Sequence, residues 1–339
     1  GYIKNICDQL DEFIDSNLSS MSIGQESENK KRRHASSMKG LYEAKRLLDR
    51  LKEAADDIEY NPLNWIVSSL ETDGDGGGSS NSRISRVTLK PTSVRSAANR
   101  FFGMGRFRLL MSATILSRDD FCDIMGLDPS GVKWIEAGSD FPVENRPIYA
   151  LNMGQLNAKN QQIMLPRFVS KIDEIMTLFA RHKGIIHVTS YGQLKAIRDG
   201  LSQQNRRRLL ETGDGVQREE LVREHASAKD RPTVLISPSL HTGLDLKDDL
   251  ARFQIIVKVP YPDLSDRLID AKRRRSERWY TYQTALRMVQ AYGRAVRSKD
   301  DWAATFVLDS NFRGFFWTRA QAMLPAWFKE AVVDVPKNG

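Results

Sequence analysis

The chain has 339 residues, 40% of them hydrophobic and 28% charged, so it can bury a large core in about two or three domains. Its apolar runs fall far short of the roughly 20 residues that cross a bilayer, which excludes a membrane-spanning protein. Its two cysteines have no Cys or His at metal-ligand spacing, which indicates a reducing compartment without structural disulfides and predicts no metal site. The net charge of +8 and the isoelectric point near 9.4 favour a polyanionic partner, although solvated lysine and arginine faces give the same statistics.

Residues 1 to about 60 are predicted to form a long helical hairpin or small bundle. Two apolar stripes, separated by the polar stretch 19–31, mark the helices: Ile6, Leu10, Phe13 and Ile14, then Leu41, Leu47, Leu48, Leu51 and Ile58. Strand-like segments at 64–70 and 86–89 flank the Gly-rich run 73–82. They predict a β-hairpin with a mobile tip, and an interdomain linker is the alternative.

From Arg106 onward, short apolar runs alternate with helical patterns at 161–182, 191–201 and 216–228. Near-continuous apolar strands separated by helices are what a parallel sheet covered on both faces requires, so the predicted fold class is α/β. The predicted strands are residues 107–111, 184–188, 233–236, 253–257 and 304–308.

A stretch near the carboxy-terminal end is predicted to be one helix from the spacing of its apolar residues, Tyr282, Ala285, Leu286, Val289 and Val296. Gln290, Arg294 and Arg297 then share one helix edge. Two guanidiniums one turn apart can grip a polyphosphate, and Gly293 beside them would let a ligand approach the backbone closely. The alternative is a surface helix whose arginines are solvated or paired with acids such as Asp301.

Small polar residues follow several of the apolar runs, where ligands bind in parallel sheets. Hydroxyls and backbone amides at such places can hold phosphate oxygens, and a glycine followed by an aspartate can admit a ribose or a metal-bound water. Each signal alone is weak, because Thr-Ser-Tyr is also a helix cap and Gly-Leu-Asp is also a turn. Their succession is informative: Ser112-Ala-Thr114, Thr189-Ser-Tyr191, Thr242-Gly-Leu-Asp245 and Gln290-Ala-Tyr-Gly-Arg-Ala-Val-Arg297.

In this order, these four segments resemble motifs III, IV, V and VI of superfamily 2 helicases. The XPD/DinG branch, the iron–sulfur helicases, is the most similar in three further segments: Val259-Pro-Tyr-Pro-Asp263, the Ser-Lys-Asp-Asp-Trp302 that follows motif VI, and Leu324-Pro-Ala-Trp-Phe328. The resemblance extends over residues 85 to 330. Position alone relates the first 84 residues to the helical Arch domain of that family.

The resemblance implies a RecA-like helicase fold with three parts: an Arch-like region at 1–84, the C-terminal piece of helicase domain 1 at 85–145, and helicase domain 2 at 146–339. It implies the C-terminal portion of an ATP-dependent DNA helicase that translocates on single-stranded DNA and unwinds duplexes. The implied partners are single-stranded DNA, helicase domain 1 of the same protein, and accessory proteins at the Arch-like region. The implied location is cytoplasmic and nucleoid-associated, or nuclear.

The resemblance also implies a role for each matching residue. The catalytic residues would be the arginine fingers Arg294 and Arg297, together with Gln290. The ATP contacts would be Gly243, Asp245 and Gly293, and the coupling residues Ser112, Ala113 and Thr114. The nucleic-acid contacts would be Thr189, Ser190, Tyr191, Ser239, Thr242, Lys272 and Arg273, although a solvated helix face explains the basic cluster 272–275 equally well.

The sequence contains no Gly-x-x-x-x-Gly-Lys-Ser/Thr phosphate loop and no Asp-Glu-x-His box. The resemblance therefore implies that ATP and Mg²⁺ are bound mostly by residues upstream of Gly1, with any iron–sulfur cluster, and that this chain alone is inactive. One alternative is a non-catalytic nucleic-acid or protein-binding module that kept a RecA-like scaffold. Another, an unrelated doubly wound enzyme acting on a small molecule, is disfavoured because no Gly-rich dinucleotide fingerprint follows a strand.

Overall fold

The computed structural model describes residues 2–21, 28–73, 83–157, 159–211, 218–238, 246, 248–293, 295–296 and 298–334. The chain divides into two compact units. Unit 1 comprises Gly1–Met104 and Asp266–Ala271, and unit 2 comprises Gly105–Ser265 and Lys272–Gly339. None of the described helices combines the length and the apolar character that a membrane span needs. The predicted division into three domains stays a prediction.

Unit 1 begins with two antiparallel helices, α1 (Tyr2–Met21) and α2 (Glu28–Tyr60), as predicted. The buried seam between them is narrow and is formed by Cys7, Ile14 and Leu48. The predicted stripe is partly wrong, because Ile6, Leu10, Phe13, Leu47 and Leu51 are exposed. Two helices bury only the line along which they touch, so apolar residues one position to the side of that line stay in solvent.

Ion pairs also connect the two helices of this hairpin. Lys52 lies 2.6 Å from Asp11 and 3.1 Å from Asp8, and Lys4 lies 2.6 Å from Asp56. These side chains are at least a quarter exposed, so the pairs stabilise the hairpin only weakly.

The β-hairpin of unit 1 is confirmed. Strands β1 (Trp65–Asp73) and β2 (Arg83–Pro91) pair antiparallel, with Trp65 opposite Pro91, and the helix α3 (Arg95–Phe102) follows. Residues 74–82 of the Gly-rich run lie outside the described residues. The Nε1 of Trp65 donates to Asp57 at 2.7 Å, which fixes the start of β1 on the end of α2.

The predicted parallel α/β sheet is confirmed in unit 2. Its strands are β3 (Ile148–Ala150), β4 (Gly184–His187), β5 (Leu209–Glu211), β6 (Val234–Ser237), β7 (Phe253–Ile256), β8 (Ala304–Val307) and β9 (Val332–Asp334). These seven strands lie in the order β5-β6-β4-β7-β8-β3-β9, and every pair is parallel. The three strands of only three residues, β3, β5 and β9, were not predicted, because such short segments show no periodic pattern of apolar residues.

Helices pack on both faces of this sheet. Neighbouring residues of β7 show the alternation, since Ile255 belongs to the core cluster of Phe168 and Ile172, whereas Ile256 belongs to the cluster of Met288. The remaining helices are α4 (Arg118–Met125), α5 (Gln161–Leu178), α6 (Tyr191–Gly200), α7 (Gln203–Arg206), α8 (Arg218–Ser227), α9 (Arg267–Arg275, with residues in both units), α10 (Glu277–Tyr292), α11 (Trp317–Ala320) and α12 (Ala326–Glu330).

The strand predicted at 107–111 is wrong. These residues form no ladder, and Phe107, Leu109 and Met111 are exposed. A parallel strand needs a neighbour to satisfy its backbone groups, and no described strand pairs with this run.

The three consecutive arginines 206–208 differ in exposure, because Arg206 and Arg207 lie at the surface. Arg208 is buried, and its guanidinium donates to the carbonyls of Met176 (2.5 Å), Phe179 (3.0 Å), His182 (2.8 Å) and Pro232 (2.8 Å). It therefore closes the carboxyl end of α5, where unpaired carbonyls remain. Arg206 likewise donates to the carbonyl of Asp199 at 2.6 Å.

Candidate functional site

Helix α10 carries the first of the predicted site residues. The Ser276 hydroxyl accepts from the Trp279 amide at its start, and the Gly293 amide donates to the Val289 carbonyl (2.9 Å) at its end. The prediction of a helix through residue 297 is wrong, because α10 ends at Tyr292 and residues 295–296 are not helical. Gln290 lies in the last turn.

Several predicted residues lie outside the described part of the chain. Arg294 and Arg297 follow the end of α10, and the others follow Ser237, the buried last residue of β6. Their predicted roles stay predictions: Arg294, Arg297, Ser239, Thr242, Gly243 and Asp245.

Buried polar bonds fix the carboxyl end of α10. Gln254, on β7, donates through its Nε2 to the carbonyl of Tyr292 and to the hydroxyl of Thr305, both at 2.8 Å. The Tyr292 hydroxyl donates to the carbonyl of Arg146 at 2.8 Å. A glutamine in the middle of an apolar strand was the sequence signal for this anchor, and sequence reasoning missed it.

The structure brings the predicted coupling residue Thr114 to the predicted catalytic residue Gln290. The Gln290 Nε2 lies 3.4 Å from the Thr114 Oγ1, at the long end of hydrogen-bond distances. Thr114 is half-buried, whereas Ser112 and Ala113 are exposed, and the Ser112 hydroxyl accepts from the Thr114 amide at 3.3 Å. We call residues 112–117 the coupling segment.

Two further side chains of α10 hold the chain around the coupling segment. The Tyr282 hydroxyl donates to the carbonyl of Ile115 at 2.6 Å, and burial raises the pKa of this phenol to about 12. The Arg278 guanidinium donates to both oxygens of Asp120, at 2.5 and 2.7 Å. The hydrogen bond to Asp120 raises the pKa of Arg278 further.

The residues after β4 adopt a helix cap. The Ser190 hydroxyl accepts from the Gln193 amide at 3.2 Å, and the amide and hydroxyl of Thr189 both donate to the Gln193 Oε1 at 3.0 Å. The cap alternative therefore describes Ser190 and Thr189. Tyr191 is 64% exposed, so its ring is accessible at the carboxyl end of the sheet.

An aspartate after β8 was missed. Asp309 is fully buried; its carboxylate accepts from the amides of Val259 (3.0 Å) and Asn311 (2.9 Å), and burial raises its pKa. It fixes the start of the Val-Pro-Tyr-Pro-Asp segment. The signal was an acid directly after an apolar run, the same rule that selected the other strand-end residues.

Lys272 and Arg273, predicted to bind nucleic acid, are both half-buried. The Lys272 Nζ lies 5.4 Å from the centre of the Trp279 ring, and burial lowers the pKa of Lys272. Arg273 donates to the Glu277 carboxylate at 2.8 Å. Within the described residues, no three His, Cys, Asp or Glu side chains converge as metal ligands would.

The parallel sheet flanked by helices, with polar side chains collected beyond its strands, defines an α/β domain with a RecA-like fold. Residues 174–331 match the family model of the helicase C-terminal domain. This segment, a little under half of the chain, is therefore similar to the helicase C-terminal domain.

Named relatives match parts of the chain. The Fanconi anemia group J protein homolog of Gallus gallus is 31% identical over 83 residues, which are 21% of this chain and 7% of that protein. The regulator of telomere elongation helicase 1 homolog of Anopheles gambiae is 33% identical over 98 residues, 25% of this chain and 10% of that protein. The matched stretch is thus a tenth or less of each relative.

Solved structures share the fold. A structure of apo XPD superposes with a TM-score of 0.53 at 16% identity, covering 75% of this chain and 54% of that chain. The Xpd4 structure from S. tokodaii gives 0.50 at 18% identity, covering 73% and 49%.

Proposed function

We propose that this chain is the C-terminal portion of an ATP-dependent DNA helicase that couples ATP hydrolysis to translocation on single-stranded DNA and to duplex unwinding. The observation that carries the proposal is the 3.4 Å approach of Gln290 to Thr114. It joins the segment expected to respond to the nucleotide with the segment expected to couple that response to DNA. The match of residues 174–331 to the helicase C-terminal domain supports the same conclusion.

The side chains of this region suit a nucleoside triphosphate. The amide of Gln290 and the hydroxyl of Thr114 are neutral donors, and two permanent cations follow the Gly293 cap within a few residues. When bound, ATP with Mg²⁺ supplies the free energy of phosphoanhydride hydrolysis. Arg294 and Arg297 would bind the γ-phosphate and stabilise the charge that develops on it, and Gln290 would orient the attacking water.

The remaining contacts of the nucleotide follow from the same proposal. Gly243 and Asp245 would contact its ribose side, and Gly293 would leave room beside its phosphates. The phosphate loop and the acidic box, which this sequence does not contain, would belong to helicase domain 1 of the same protein.

Single-stranded DNA would cross the carboxyl end of the sheet. The Ser190 hydroxyl only accepts within the helix cap and can still donate to a phosphate there, with Thr189 exposed beside it. The exposed ring of Tyr191 offers a face on which a base can stack. Contacts to phosphates and to base faces do not distinguish one base sequence from another, so the protein should bind DNA of any sequence. The logarithm of the binding constant should fall linearly with the logarithm of the salt concentration.

ATP hydrolysis by the full-length protein, with and without single-stranded DNA, tests this function. We expect DNA to stimulate hydrolysis, and Arg294→Ala or Arg297→Ala to lower kcat roughly a thousandfold, as loss of an arginine finger does. The matched control is Arg207→Ala, which changes an exposed arginine. Unchanged turnover in both finger variants contradicts the assignment. DNA binding by a wild-type protein that never hydrolyses ATP would establish the non-catalytic binding module instead.

A further inference from the structure

We propose that Arg278 and Tyr282 are positioning residues that hold the coupling segment along α10, so that Thr114 stays within reach of Gln290. The inference rests on the proposed function and extends it to two residues outside the four helicase-like motifs. Both act through the segment they bind and not on ATP or DNA.

The spacing along α10 is the first argument. Arg278, Tyr282, Leu286 and Gln290 are four residues apart and therefore lie on one side of the helix. Three of them bond to Asp120, to the Ile115 carbonyl and to Thr114, respectively. Leu286 packs against the same core cluster as Leu116. The edge of α10 thus bonds to the chain at three places between residues 114 and 120.

The backbone of the coupling segment is the second argument. Leu116 has a φ of 68°, in the left-handed region that a leucine rarely adopts. Such a conformation persists only when its surroundings determine it, and here the neighbouring carbonyl accepts from Tyr282 while the next residue, Ser117, caps α4. The bond from Tyr282 therefore holds the backbone directly after Thr114.

The third argument is the Arg278 pair. Asp120 is 7% exposed and receives two parallel bonds from one guanidinium, the geometry that fixes orientation as well as charge. The Arg278 side chain itself is 66% exposed, so its removal leaves no cavity in the core. A variant at this position tests positioning without emptying the interior.

The test measures kcat and KM for ATP in DNA-stimulated hydrolysis by the full-length protein. We expect Arg278→Ala to lower kcat about tenfold with KM for ATP within about twofold, because nucleotide binding does not use this residue. The kcat of Arg278→Lys should lie between those of the wild type and Arg278→Ala, because an ammonium keeps the charge but cannot donate to both carboxylate oxygens in the planar geometry of a guanidinium. Tyr282→Phe, which keeps the ring and removes the donor, should lower kcat about fivefold. The matched control is Arg231→Ala, which breaks an exposed pair with Glu224 on α8 and should change neither constant.

Hydrogen exchange in the same protein gives a readout independent of turnover. The amides of residues 114–121 should exchange at least about tenfold faster in Arg278→Ala and at the wild-type rate in Arg231→Ala. Wild-type kcat in both Arg278→Ala and Tyr282→Phe overturns the positioning role while the proposed function stands. If the wild-type protein shows no DNA-stimulated hydrolysis, the proposed function fails, and unchanged exchange in Arg278→Ala then rejects the anchoring as well.

Discussion

The two helices of unit 1 and the sheet of unit 2 use charged side chains in opposite ways. In the helical hairpin, Lys4, Lys45 and Lys52 pair with carboxylates that remain in contact with water. In the sheet unit, Arg208 is buried and donates mainly to backbone carbonyls. Removing a surface pair costs little because water replaces each partner, whereas removing a buried donor leaves carbonyls that nothing else can reach.

This difference shows which arginines a sequence-based search for anion sites should discard. Arg208 and Arg146 both count toward the basic composition, yet both are buried and donate to backbone carbonyls. The positive charge that can attract a polyanion is therefore smaller than the net charge of +8 indicates.

The largest expected effect is on stability and comes from Arg208→Met. Loss of the guanidinium leaves several buried carbonyls at the end of α5 without a hydrogen-bond donor. We therefore expect the free energy of unfolding of unit 2 to fall by about 4 kcal/mol. Denaturant unfolding followed by far-UV circular dichroism measures it. The neighbouring Arg207→Met is the control, because Arg207 is exposed and should change stability by less than about 0.5 kcal/mol. Equal losses in the two variants would remove the contrast between buried and surface arginines.

The second expected effect is a loss of stability in mild acid through His225. This buried imidazole donates from Nε2 to the Leu250 carbonyl (2.7 Å) and accepts at Nδ1 from the Thr233 hydroxyl (2.8 Å), which fits the neutral ring. Burial lowers its pKa to about 4. The unfolded chain, with a pKa near 6.5, binds the proton first, so stability is complete above about pH 6.5 and falls as the pH approaches 4.

We expect about 3 kcal/mol to be lost across that window. The free energy of unfolding measured from pH 7 to pH 4 should fall more steeply in the wild type than in His225→Gln, which cannot titrate. Parallel profiles for the two proteins would show that His225 is not protonated on unfolding.

The smallest expected effect is the salt sensitivity of the hairpin. At 1 M salt the screening length is roughly 3 Å, so the exposed pairs of Lys52 with Asp8 and Asp11 should weaken. Amides of α1 and α2 should then exchange about twofold faster, while those of β4 and β7 stay at their low-salt rates. Lys52→Met at low salt should reproduce the change. An equal response of the sheet strands would mean that salt acts on the whole chain and not through these pairs.

Much of the fold was predictable because its central strands are buried and mostly apolar. Residues 184–188 and 253–257 each correspond to a buried strand, and Ser190 begins a helix where the pattern placed one. The run 107–111 is also mostly apolar and is not a strand. The composition of a segment indicates whether it suits a β-sheet. A strand also needs a neighbouring strand to pair with, and the sequence of the segment itself does not show whether one is present.

The candidate site was predictable only in part. The approach of Gln290 to Thr114 follows from residues that the helicase-like motifs contain. The end of α10 at Tyr292 was missed because helical spacing continues in the sequence to Val296, while Gln254 and Arg146 fix the end of the helix from distant strands and loops. Contacts between residues that are tens of positions apart produce no periodic pattern in the sequence.

The two hydrogen bonds that the Gln254 side chain donates have a mechanical consequence. Because one amide group holds both the last carbonyl of α10 and the hydroxyl of Thr305 on β8, the helix terminus cannot unwind without opening the interior of the sheet. Displacement of α10 should therefore carry the neighbouring strands with it as a rigid body. Force or strain applied at the coupling segment would reach the far edge of the sheet by rotation of the whole layer and not by local melting.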